Sequence, residues 1–177
     1  IMRRVFLDLG SHRGETVRLF RQRYPNATQY EIHCFEPTPG LAPLFADLGV
    51  HLHSSAVWTH DGLIDFYLGR DGSECSSAIR EKTTGRLDRE HPVQVPCIRL
   101  ARWLIDEIRE GDYVVAKMNI EGAEYRVLPD LVSTGAIRKI SELYVEWHLG
   151  KVGVSQAKQD ALIAVLKSAG MTPISIW

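Results

Sequence analysis

Asp8-Leu9-Gly10-Ser11-His12-Arg13-Gly14-Glu15-Thr16 is the stretch that decides how the chain is read. It follows a short apolar run, Arg4 to Leu9, and precedes Val17, Leu19, Phe20 and Tyr24, which recur at helical spacing. The pattern is strand, glycine-rich turn, helix. Pro25-Asn26 stops that helix. Tyr30 to Phe35 reads as a second strand closed by Glu36-Pro37, Pro39 to Leu48 as a second helix, and Val50 to Val57 as a third strand. Strands alternating with helices predict an α/β, Rossmann-like fold: a mostly parallel sheet with helices on both faces.

Further along, Leu63 to Leu68 and Val93 to Ile98 read as strands, with a long polar loop between them. A loop of that length in a compact domain is usually functional, so residues 70–92 are expected to form a lid, with Ser76 and Ser77 as substrate contacts. Arg99 to Ile108 reads as a helix, Tyr113 to Met118 as a strand, Ala123 to Val132 as a helix and Ile140 to Trp147 as a strand. Gln156 to Ser168 is an amphipathic helix stopped at Gly170, and Pro173 to Trp177 a final strand. With no repeat or linker, residues 1–177 are expected to form one domain.

Composition narrows the function. A hydrophobic fraction of 45% with 24% charged residues is that of an ordinary globular protein. The formal net charge of -1 offers no basic face for nucleic acid. The cysteines Cys34, Cys75 and Cys97 form no CxxC pair, which argues against a zinc or dithiol site and for a reducing, cytoplasmic setting. No apolar stretch is long enough for a membrane span or signal peptide, so no membrane partner is expected.

Chemistry concentrates at three strand ends. Gly10 and Gly14 permit a tight turn and close backbone approach to a ligand. Ser11, His12 and Arg13 fill the interval, so the spacing is not that of a dinucleotide loop, and Asp8 would repel a pyrophosphate. A carboxylate there suits the ammonium of a methionine moiety instead. Glu36, about twenty residues on, ends the next strand, where a carboxylate accepts ribose hydroxyls. Lys117-Met118-Asn119-Ile120-Glu121-Gly122-Ala123-Glu124 marks the fourth strand's end, near the point where strand order reverses in a doubly wound sheet. Glu124 in a helix's first turn complements the dipole. Glu121 is the better group for orienting or deprotonating a substrate hydroxyl, and His148 is a second general base. His51 and His53 sit at i, i+2 without a third ligand, so no metal is expected.

The opening loop, Phe35-Glu36-Pro37, the Lys117 to Glu124 segment and Val145-Glu146-Trp147-His148 together resemble the FkbM family of methyltransferases. The resemblance implies a class I methyltransferase fold, S-adenosylmethionine as cofactor, and O-methylation of a small-molecule or carbohydrate hydroxyl. By it, Asp8, Gly10, Ser11, His12, Arg13 and Gly14 line the methionine end, Glu36 with Pro37 holds the ribose, and Ser55 and Ala56 lie near the adenine. Asn119 joins the cofactor set, standing where the family usually has Asp, which keeps hydrogen bonding but removes a charge. Glu121 and His148 are the expected catalytic pair. The chain starts almost on its first strand, so part of the pocket wall is expected to be missing or to come from a partner, and a homo-oligomer stays open. A non-catalytic methyltransferase-like binding module and an NAD-dependent oxidoreductase are the alternatives.

Overall fold

Side chains on Arg4–Leu9, strand β1, alternate across the sheet and so set the layers. Val5, Leu7 and Leu9 join the larger core cluster, while Phe6 points the other way and stacks on Phe20 at 3.8 Å. The computed structural model describes residues 2–175. Its remaining elements are α1 (Glu15–Arg23), β2 (Tyr30–Phe35), β3 (His51–His53), β4 (Ala56–Trp58), β5 (Gly62–Phe66), β6 (Val93–Arg99), α2 (Leu100–Glu107), β7 (Tyr113–Met118), α3 (Glu124–Ser133), β8 (Glu142–Val145), α4 (Gln156–Ser168) and β9 (Ile174–Ser175).

The main sheet has six strands in the order β3-β2-β1-β7-β8-β9, every neighbour parallel. Helices α2, α3 and α4 cover one face through Leu100, Leu104, Leu128, Leu131 and Leu166, and α1 covers the other through Val17 and Phe20. This is the expected α/β, Rossmann-like architecture, with the order reversing between β1 and β7. A second sheet, β4-β6-β5, pairs β4 parallel and β5 antiparallel to β6.

Register decides what emerges at the carboxyl edge. Leu9 lies level with both Phe35 and Met118, and Met118 lies level with Val145. The next residue on each strand, Glu36, Gly10, Asn119 and Glu146, therefore stands in a row across four neighbouring strands.

Two expected elements differ. Instead of a helix over 39–48, a short 3-10 turn spans Ala42–Phe45. Pro43 has no N–H to donate and Gly40 has a φ of 85°, so an α-helix cannot propagate, although Phe45 still buries its ring. The single strand over 50–57 is instead β3 and β4, separated at Ser54-Ser55, because the chain leaves one sheet for the other. The last strand is seen at Ile174–Ser175, and the rest of the expected element, residues 176–177, lies outside the described residues. Among the described residues, no helix is long and apolar enough to cross a membrane.

Candidate functional site

A cavity of about 390 Å³ opens over the row of strand ends. Gly10, Glu36, Pro37, Asn119 and Glu146 form its floor, and Ala56, Phe66 and the 70–92 loop, through Cys75, Ser76 and Lys82, form its far wall. That size falls in the range of small-molecule sites, roughly 300–1,000 Å³. The crevice at the strand-order reversal is where open α/β sheets bind ligands.

Gly10 is demanded by packing. Its φ is 84°, and a Cβ there would lie 1.9 Å from the Asn119 carbonyl oxygen. The missing side chain lets the loop close between β2 and β7, with Gly10 N–H donating to the Phe35 carbonyl at 3.0 Å. The same closure aims the loop's amides at Glu36. His12 N–H donates to Glu36 Oε2 and Thr38 N–H to Oε1, each at 2.7 Å. The carboxylate is thereby held in one orientation on the cavity wall, with a remaining acceptor lone pair on each oxygen.

The opposite wall is a chain of charges. Glu121 has a φ of 54°, uncommon for a residue with a side chain, and the next residue is Gly122 at 104°. Ser77 Oγ donates to the Glu121 carbonyl at 2.8 Å and braces this turn. Glu121 Oε2 lies 2.9 Å from Lys82 Nζ and 3.4 Å from His148 Nε2. Burial would raise the Glu121 pKa, but His148 and Lys82 outweigh it and hold the carboxyl below its usual range. Behind His148 stands Glu124, fully buried at the start of α3. Glu124 Oε1 accepts from His148 Nδ1 and from its backbone N–H, both at 2.9 Å, and Oε2 accepts from Gly122 N–H at 2.9 Å. Burial alone would lower the His148 pKa, but the neighbouring carboxylates of Glu121 and Glu124 raise it to about 9. At neutral pH it is an imidazolium, 1% exposed and off the cavity wall.

Beneath the loop, Asp8 is 0% exposed and Lys117 Nζ sits 3.0 Å from its Oδ1. Lys117 also donates to the Gly10 carbonyl at 2.9 Å, so this ion pair fastens β1 to β7 under the site. Burial raises the Asp8 pKa against the pull of Lys117. Beside them Asn119 Nδ2 donates to Glu146 Oε2 at 2.7 Å, while Asn119 Oδ1 is buried with no hydrogen-bond partner among the described residues. His53 stacks on Phe35 at 4.3 Å below the cavity, and burial lowers its pKa to about 4.

The sequence matches a family model described as the methyltransferase FkbM domain, over residues 8–171. The chain belongs to the FkbM methyltransferase family. No curated protein and no solved structure matches it.

Of the residues singled out from the sequence, Gly10, His12, Glu36, Pro37, Ala56, Asn119 and Glu121 line this cavity. Asp8, Ser11, Arg13, Gly14, Ser55 and His148 lie off its wall. Asp8 spends its charge on Lys117, Ser11 Oγ bonds the Asp8 carbonyl, and Arg13 points to solvent. His148, expected as a base, donates from Nδ1 to Glu124, while its Nε2 lies 3.4 Å from Glu121 without a hydrogen bond. Lys82 and Glu146 are wall residues that sequence reasoning missed. Lys82 carries no local signal, since a lysine in a polar loop reads as solvated, yet its side chain is 1% exposed and also donates to the Cys75 carbonyl at 2.8 Å. The 70–92 loop is a packed wall, with Ser76 and Ser77 buried and Thr83 N–H donating to the Lys151 carbonyl at 2.7 Å.

Proposed function

We propose that this methyltransferase uses S-adenosylmethionine and methylates a hydroxyl of a small molecule or carbohydrate. The observation that carries the reading is Glu36, a carboxylate pinned by two backbone amides at the end of β2, on the wall of a cavity at the strand-order reversal. Glu36 would receive the two ribose hydroxyls, and the space beside Ala56 and Phe66 suits a flat base. Asn119 Oδ1, a buried acceptor with no donor among the described residues, fits the ammonium of the methionine end. The cavity lining carries Glu36, Glu74, Glu121 and Glu146 against Lys82 and Lys151, an acidic balance that favours a sulfonium cation over a pyrophosphate.

When bound, the cofactor supplies an electrophilic methyl group, and the acceptor oxygen forms its bond to that carbon as the carbon–sulfur bond breaks. The chain's share is positioning, worth up to roughly 7–11 kcal/mol in well-aligned systems. Glu121 accepts a hydrogen bond from the acceptor hydroxyl and so points an oxygen lone pair into the cavity. Its lowered pKa makes it a stronger orienting group than a proton sink, and the proton leaves to water.

Calorimetric titration with S-adenosylmethionine, its demethylated product and NAD tests the cofactor. Binding of the first two alone supports the reading, whereas NAD binding or no binding by a folded domain defeats it. Transfer of labelled methyl to an acceptor panel, with the product bond assigned by NMR, tests the hydroxyl. Glu121→Gln is expected to lower kcat about tenfold on any acceptor the wild type methylates, with cofactor Kd unchanged. Unchanged kcat would remove Glu121 from the chemistry.

A further inference from the structure

On the sheet edge away from the cavity, Glu31 and His33 project from β2 on the same face as His51 and His53 from β3. Parallel pairing sets His33 level with His51, and their rings stack at 4.7 Å. Glu31 Oε1 lies 2.8 Å from His33 Nε2 and 3.7 Å from His51 Nε2. The three ligand atoms all fall within 4.8 Å of one another. Tetrahedral zinc, with bonds of roughly 2.0–2.2 Å, needs ligand atoms about 3.3 Å apart. The separations of His33 Nε2 and His51 Nε2 from Glu31 Oε1, 2.8 and 3.7 Å, bracket that spacing.

We propose that Glu31, His33 and His51 form a binding site for a zinc-class divalent ion, with water as the fourth ligand. Two imidazoles and a carboxylate are a donor set that zinc favours and that magnesium, an oxygen-seeking ion, does not. A support for the first ligand shell is already in place. His33 Nδ1 lies 3.0 Å from His53 Nε2, and donation from Nδ1–H to that nitrogen leaves His33 Nε2 free to ligate. Trp103 packs edge-on against both His33 and His53, at 5.1 and 5.7 Å, and fixes their ring planes. Arg3 Nη1 lies 3.5 Å from the other Glu31 oxygen, but Asp112 engages the same guanidinium at 2.8 Å, so its charge is already balanced. The ion would clip the three-residue edge strand β3 to β2, one stacked ring away from Phe35 on the cavity wall.

The site stands apart from the methyl-transfer reading, and its test needs no activity. Untagged full-length chain, freed of metal by chelation, is titrated with Zn²⁺ by calorimetry and with Co²⁺ by visible absorption. One equivalent of Zn²⁺, a four-coordinate Co²⁺ band and a raised melting temperature are expected. His51 has a side chain 63% exposed, so His51→Ala keeps the fold while weakening Zn²⁺ binding about 100-fold, and Glu31→Gln does the same. Absence of stoichiometric binding, an equal response to Mg²⁺, or undiminished affinity in both variants overturns the site.

Discussion

Replacing Glu36 with alanine is expected to weaken S-adenosylmethionine binding by about 100- to 1,000-fold while the domain stays folded. The magnitude follows from two charge-assisted hydrogen bonds to the ribose, each taken near the lower end of the roughly 1.5–3 kcal/mol such bonds contribute. Part of the loss is preorganisation. Glu36 is already held by His12 and Thr38 N–H groups at 2.7 Å, so the free protein bears little cost in ordering it. In the alanine variant those two amides lose their acceptor and the loop loses its brace. Isothermal titration with S-adenosylmethionine and with its demethylated product measures the effect, and circular dichroism at the same concentration checks the fold. A change below about threefold would show that Glu36 does not hold the ribose, even if the family assignment stands. Because the loop carrying His12 also shapes the cavity, Glu36→Gln provides a second reading with the shape kept. It should fall between wild type and alanine.

Removing Glu124 strikes at stability. Glu124 is fully buried and accepts from Gly122 N–H, His148 N–H and His148 Nδ1. Glu124→Ala leaves an imidazolium inside the protein with a single carboxylate, Glu121, at 3.4 Å. Breaking one partner out of a buried ionic group costs about 3–5 kcal/mol, and denaturant unfolding at pH 7 should show a loss of that size. The pH profile separates this cause from simple loss of packing. His148 rises from 6.5 in the unfolded chain to about 9 in the folded one, so the folded state binds the extra proton across that window. Its stabilisation is therefore complete below pH 6.5 and is lost as pH rises to about 9, amounting to about 3 kcal/mol over the range. Wild-type stability should fall along that limb, and Glu124→Ala should flatten it. A loss under about 1 kcal/mol, or an unchanged pH slope, would sink the assignment of His148 as a buried imidazolium.

Much of this site was legible as sequence because it rests on local rules. A glycine that must adopt a φ of 84° and an acid at a strand's end are properties of single positions and short spacings. Gly10, Glu36, Asn119 and Glu121 could be named that way. His148 and Asp8 were found but given the wrong surroundings, since a side chain's charge state depends on neighbours distant along the chain. His148 meets Glu124 across 24 residues and Asp8 meets Lys117 across 109. The helix expected over 39–48 failed for a local reason, a proline inside the apolar pattern.

By itself, the sequence determined the alternation of strands and helices, the turn that only glycine can make, and the acids that end successive strands. These follow from backbone sterics and periodicity, which act over a few residues. Tertiary structure alone decided that Lys82 folds in from a distant loop, that His148 is charged, and that Glu31, His33 and His51 share one edge. Desolvation and pairing in the folded state set those outcomes, and they exist only once the parallel register brings the strands together.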